Sequence, residues 1–278
     1  MSNDTHQTAR TQLVQVGDVR FAYRRFGRRG GLSVVFLNYF AANMDDWDPE
    51  VTNGFAAERD VILFDNAGVG SSSGETPSTV AAMTKDCADF CRALDLKNFD
   101  VMGFSLGGMI AQQLAFEYPD MVRRMTLMGT GPRGGEGMTF TELSTDQLAD
   151  PVALLMAAFF TPSEASKAAG QAYIERLKLR VADRDAPVSM KAAGAQLEAI
   201  REWGSIPPTD RYAMLPRIHH RTLIVHGSKD IIVMPINAFL LVQHLPDAQL
   251  VMYPDASHGA QSQHAEVFLQ HARLFLDR

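Results

Sequence analysis

Cysteine is almost absent from this 278-residue chain: it has two, Cys87 and Cys91. Spaced four apart on one expected helix, they point the same way without reaching disulfide geometry, and no Cys or His partners complete a metal set. They read as small, half-buried apolar residues, and their reduced thiols fit a cytoplasmic protein. Long apolar runs are also missing. The stretch 152–160 falls well short of the roughly 18 residues that a membrane span requires, and the polar start, MSNDTHQTARTQLVQV, lacks the apolar core of a secretory signal. Nor is there a surplus of basic charge. With a formal net charge of −6, no basic face argues for nucleic acid or an anionic membrane as partner. A composition of 46% hydrophobic and 21% charged residues is that of a globular chain, and it excludes disordered, collagen-like and coiled-coil classes.

What is present is an alternation. Residues 12–16 and 19–26 read as paired strands split by Gly17-Asp18, a hairpin signal. Six short apolar runs follow, at 33–37, 61–64, 99–102, 125–128, 222–225 and 249–252, as expected of strands buried on both faces. Helical spacing falls between them at 78–94 (with Ser78 as N-cap after Pro77), 106–117, 236–244 and 261–276. Strand alternating with helix predicts βαβ units and a mostly parallel sheet in three layers. The rhythm breaks over 131–216, where helices at 146–160, 163–181 and 189–203 are expected with no strand among them. The predicted organisation is a core of 1–130 and 217–278 carrying a helical insertion, 131–216.

The stretch Gly103-Phe104-Ser105-Leu106-Gly107, followed by Gly108, contains G-x-S-x-G directly after a buried strand and before an apolar helix. A turn that tight requires small residues two positions either side of the serine, and it projects the hydroxyl alone above the sheet beside the amides of a helix N-terminus. The plainer alternative is a helix start with Ser105 as its cap. A serine needs a base, and the base needs an orienting group. Asp230, in His226-Gly227-Ser228-Lys229-Asp230, and His258, in Ser257-His258-Gly259, both follow strands at the carboxyl edge of the same sheet. Serine, aspartate and histidine thus occur in the chain order of one convergent form of the triad. Either could instead be an ordinary loop residue, and Asp255 is the next candidate for the acid.

On these motifs, with VVFLN and the loop Asp65-Asn66-Ala67-Gly68-Val69-Gly70-Ser71, the chain resembles the α/β-hydrolase fold superfamily, in its cofactor-free esterase, lactonase and non-haem haloperoxidase-like branch. The resemblance implies a three-layer fold with an eight-stranded, mostly parallel sheet and a helical cap. It also implies Ser105 as nucleophile, His258 as base and Asp230 as its partner. One oxyanion amide would come from Leu106 and the other, by position, from Phe40. Where relatives read His-Gly-x this chain has Asn38-Tyr39-Phe40, so Tyr39 replaces a glycine in that loop. The implied activity is hydrolysis of a small to medium, largely apolar ester or lactone, with no metal, haem or nucleotide as cofactor. Cleavage of C–C or amide bonds, acyl-homoserine lactone turnover, perhydrolysis, and a hydrolase-like receptor without turnover are the alternatives.

Other features carry less. Gly68-Val69-Gly70 falls short of a dinucleotide fingerprint, because the third glycine comes one residue late. His219 and His220 adjoin and would face opposite ways, while His264 and His271 are expected in solvent. Phe159 and Trp203 in the insertion, together with Tyr39, are candidate pocket residues. Arg176, Lys178 and Arg180 read as a solvated helix face.

Overall fold

All eight runs become strands of one sheet in the computed structural model, which describes residues 4–138 and 150–278. They are β1 (Gln12–Val16), β2 (Val19–Gly27), β3 (Ser33–Leu37), β4 (Asp60–Phe64), β5 (Phe99–Phe104), β6 (Val122–Met128), β7 (Arg221–Gly227) and β8 (Ala248–Tyr253). The order across the sheet is β1-β2-β4-β3-β5-β6-β7-β8. Only β1 with β2 and β2 with β4 run antiparallel. Every other neighbouring pair is parallel.

Among the described residues the α-helices are α1 (Pro49–Ala56), α2 (Val80–Ala93), α3 (Leu106–Glu117), α4 (Pro151–Phe159), α5 (Glu164–Leu177), α6 (Met190–Gly204), α7 (Ile236–His244), α8 (Ala260–Gln263) and α9 (Ala265–Asp277). Alternation along the strands separates the two faces of the core. Val35, Leu37, Ile62, Val101, Leu127 and Ile224 pack with α2, α3 and α7. Val34, Phe36, Val61, Leu63, Leu223 and Val225 pack on the opposite side with α1 and α9. Three layers follow, because strands apolar on both faces need a cover on each.

Several boundaries differ from expectation. Thr79, not Ser78, caps α2, its side chain accepting the amide of Ala82. The stretch 261–276 is two helices, α8 and α9, meeting at His264. Helix α1 was not anticipated, although Asp48 as N-cap before Pro49 is a recognisable start signal.

Between β6 and β7 the described residues contain helices and no strand. The expected start at 146 lies outside the described residues, and the helix is seen from Pro151. Arg176 and Arg180 are not a solvated face. Arg176 grips both carboxylate oxygens of Asp48, at 2.8 and 2.6 Å. Arg180, 2% exposed, donates to the carbonyls of His6, Gln7 and Ala9. Behind it, the fully buried Arg24 joins Asp45 at 2.5 Å and Asp185 at 2.7 Å. Helical periodicity cannot reveal that partners so distant in sequence wait for these arginines. Lys178, paired with Glu175, is the exposed member of the three.

Candidate active site

The residues of the candidate site follow the carboxyl ends of β3, β5, β6, β7 and β8. Ser105 follows β5 with φ 52° and ψ −114°, strained for a residue bearing a Cβ. Tertiary bonds hold it there: its amide donates to Met128 O at 2.9 Å and its carbonyl accepts from Thr130 Oγ1 at 2.8 Å. Ser105 occupies the cap position of α3, yet its side chain makes no capping hydrogen bond. Leu106 opens the helix directly after it. A Cβ on Gly103 would press on Gly108 Cα at 2.7 Å, and one on Gly107 would overlap the Leu37 carbonyl. Those two glycines let β5, α3 and the loop after β3 meet backbone to backbone.

That loop carries Asn38, Tyr39 and Phe40. Asn38 Nδ2 donates to Phe64 O at 3.0 Å and its Oδ1 accepts from Trp47 Nε1 at 2.7 Å, so its side chain is committed to the scaffold. Ala41 next to Phe40 has φ 56°. Among the described residues, the amides of Phe40 and Leu106 donate to no other group. The Tyr39 ring stands 4.9 Å from that of Phe104 and 5.3 Å from that of Phe159. Burial, together with the neighbouring Tyr173 phenol, pushes the Tyr39 hydroxyl well above its ordinary pKa.

His258 and Asp230 are in direct contact. Nδ1 of the imidazole lies 2.8 Å from Asp230 Oδ2. Oδ1 accepts from the amides of Ile232 at 2.8 Å and Val233 at 2.9 Å, which fixes the carboxylate's orientation. A carboxylate only accepts, so Nδ1 carries the proton and Nε2 is left with its lone pair. Burial pushes the Asp230 carboxyl up. The charge of His258 and the hydrogen bonds of His226 and His258 outweigh it, and the pKa lies well below the carboxylate range.

The imidazole is enclosed by apolar rings, Phe104 at 5.0 Å and Phe159 at 5.7 Å. Gly129, after β6, makes room: with φ 49°, a Cβ there would stand 3.1 Å from His258 Nδ1. The insertion holds the histidine loop in place. His258 N donates to Ala158 O at 3.3 Å, Gly259 N to Phe159 O at 3.0 Å, and Ser257 Oγ to Ala158 O at 2.8 Å.

Asp255 does not contact the imidazole. Its carboxylate accepts from Thr161 and Ser163, each at 2.6 Å, and fastens the start of α5 to the same loop. Trp203 is absent from the rings around His258: its Nε1 reaches Gly131 O at 3.3 Å, in the cluster on the other face of the sheet. His264 and His271 are not free in solvent, since both stack on Tyr253, whose hydroxyl lies 2.9 Å from His271 Nδ1. Sequence reasoning passed over His226, four residues before Asp230 and fully buried beside it. The signal available was a polar side chain directly after the apolar run 223–225.

A cavity of about 790 Å³ opens beside Asp230, lined in part by Met156, Phe160, Lys229 and Ile231. Among the described residues no three His, Cys, Asp or Glu side chains assemble to hold a metal ion, and no helix is long and apolar enough to cross a membrane.

A family model described as alpha/beta hydrolase fold matches residues 33–265. A solved alpha/beta hydrolase fold protein from Chitinophaga pinensis shares 41% identity and a TM-score of 0.92, with 99% of each chain covered. The 3-oxoadipate enol-lactonase 2 of Acinetobacter baylyi is 23% identical over 256 residues, 90% of this chain and 91% of its own. A thermophilic esterase from Thermogutta terrifontis, at 21% identity, has the same fold with a TM-score of 0.73 over 97% of this chain and 98% of its own.

Proposed function

The chain belongs to the α/β-hydrolase fold family, and from that premise we propose that it is a serine hydrolase cleaving a small to medium, largely apolar carboxylic ester or lactone. The observation that carries the reading is the 2.8 Å contact of His258 Nδ1 with Asp230 Oδ2, whose other oxygen is held by two amides. It leaves Nε2 as the basic atom at the sheet edge where Ser105 turns.

In this mechanism His258 takes the Ser105 proton as the oxygen attacks the carbonyl. The Leu106 and Phe40 amides, free of other partners among the described residues, donate to the oxyanion. The alkoxide or ring oxygen leaves with the proton from His258, giving an acyl-enzyme. Water, deprotonated by His258, then releases the acid. Asp230 holds the imidazole tautomer and stabilises its positive charge. Residues 131–216 serve as a cap over the 1–130 and 217–278 core, with Phe159 and Tyr39 forming an apolar wall beside the imidazole. The lactone side of the proposal draws support from the enol-lactonase relative. We also propose a cytoplasmic location, which the unpaired, buried Cys87 and Cys91 fit.

The test is labelling with a fluorophosphonate and turnover of p-nitrophenyl esters. The label is expected on the peptide containing Ser105, and Ser105→Ala should lower kcat by about 10⁴-fold or more while leaving the fold intact. Label on another serine, or turnover that survives the substitution, would overturn the reading.

A further inference from the structure

His226 is fully buried at the end of β7 and belongs to neither the nucleophile nor the base. Its Nε2 lies 2.8 Å from Val233 O. A carbonyl oxygen only accepts, so Nε2 carries the ring proton. Nε2 also lies 3.2 Å from Asp230 Oδ2, so the positive end of this N–H stands close to that carboxylate while its hydrogen bond goes to Val233. Nδ1 of His226 is buried without a partner, which agrees with a bare lone pair there. Oδ2 of Asp230 therefore accepts from His258 at 2.8 Å and has the His226 N–H 3.2 Å away.

We propose that His226 is a positioning residue, acting on His258 through Asp230. Its N–H ties the 230–233 turn to β7 through Val233 and withdraws charge from the oxygen that holds His258. In effect it fixes the carboxylate that aligns the imidazole. Among the described residues, Asp230 is the titratable group in contact with the His258 imidazole, from the β7 side with His226 behind it. The α4 and β5 sides supply the Phe159 and Phe104 rings, and the β6 side Gly129. Lys229 precedes Asp230, and Asp255, three residues before His258, has its carboxylate taken up by Thr161 and Ser163.

The kinetic consequence rests on the serine-hydrolase reading; the effect on the imidazole does not. With His226→Leu, Oδ2 loses the nearby N–H dipole and gains effective charge. The acid limb of kcat/KM for p-nitrophenyl acetate should then move to higher pH by about half a unit. The Nδ1–H resonance of His258 should move downfield. His226→Gln, whose terminal amide can donate from nearly the place of Nε2, should restore both. A purely structural role would lower the melting temperature in both variants and leave the limb and the resonance where they are.

Nitrogen-15 spectra of the unmodified protein provide a measurement that needs no variant, and it decides the matter if His226→Leu fails to fold. They should show His226 protonated on Nε2 and bare on Nδ1, and the opposite tautomer would overturn the proposal. So would an unmoved limb and resonance in a folded His226→Leu. If the unmodified protein turns over no ester, the hydrolase reading fails, and the spectra still judge His226.

Discussion

Gln196, fully buried on α6, accepts a hydrogen bond from the Ala41 amide at 2.7 Å. The bond joins the helical insertion to the loop after β3, at a residue whose φ of 56° costs about 1–2 kcal/mol when a Cβ is present. The insertion thus helps to hold the loop that bears the Phe40 amide. In the proposed mechanism the Phe40 amide is an oxyanion donor; removing one such donor costs roughly 10²–10³ in kcat, so displacing it rather than losing it should cost about tenfold. Gln196→Leu is expected to lower kcat by that factor with KM nearly unchanged, measured on p-nitrophenyl acetate. An unchanged kcat would mean that the loop holds itself.

Gly107 allows the closest approach in the site, where a Cβ would overlap the Leu37 carbonyl and stand 2.9 Å from that of Asn38. Both atoms are backbone and cannot rotate away. Gly107→Ala should therefore separate α3 from the loop after β3, abolishing fluorophosphonate labelling and lowering the melting temperature. Gly194 is the control: it lies on α6 with nothing within 4 Å of a Cβ. Gly194→Ala should leave labelling intact and stabilise by up to about 1 kcal/mol. Equal behaviour of the two variants would remove close packing as the reason for the elbow glycine.

Much of this architecture is legible in the sequence because its causes are local. Short apolar runs such as 33–37 and 222–225 mark strands, and G-x-S-x-G marks a turn whose two flanking glycines are dictated by contact. Asp230 and His258 are legible from their places after strands, since the sheet brings those ends together. What is not legible depends on distant partners. Arg180 looks solvated by helical spacing, yet it collects carbonyls of the N-terminal segment. Trp203 looks like a lid residue by composition, but its indole binds Gly131 O on the other side of the sheet. His226 is obscured by the nearby Asp230, whose motif it opens.

Acid stability should show two opposed groups, the buried His6 and the half-buried Asp46. Burial first, then Arg24, lower the His6 pKa from 6.5 to about 3, so the unfolded chain binds a proton that the folded one refuses. Stability from His6 is full above 6.5 and is lost as pH falls toward 3, by about 2–3 kcal/mol between pH 6.5 and 4.5. Asp46 has the opposite sign. Burial raises its pKa from 3.8 to about 6, so the folded state takes up the proton first, and stability rises as pH falls from 6 to 3.8. In melts across pH 7 to 4.5, His6→Asn should lose less stability on acidification than the unmodified protein, and Asp46→Asn should lose more. The same slope in all three would mean that neither group titrates as its burial implies.

The aromatic wall gives a prediction in which two substitutions part company. Phe159 touches His258, Phe104 and Tyr39, whereas Trp203 touches none of these rings and is hydrogen-bonded to Gly131. Truncating either large side chain leaves a cavity and should cost about 3–5 kcal/mol of stability. Only Phe159→Ala opens that space beside the imidazole. Each additional buried methylene of an acyl chain is worth up to about 0.8 kcal/mol until the pocket is full, so the optimum of kcat/KM should move to a longer chain in Phe159→Ala. In Trp203→Ala the optimum should stay put while the melting temperature falls. The measurement is a p-nitrophenyl ester series from acetate to octanoate with a thermal melt of each variant. If the two variants shift the optimum alike, the insertion acts on specificity as a whole, and the wall of Tyr39 and Phe159 has no separate part in choosing the acyl chain.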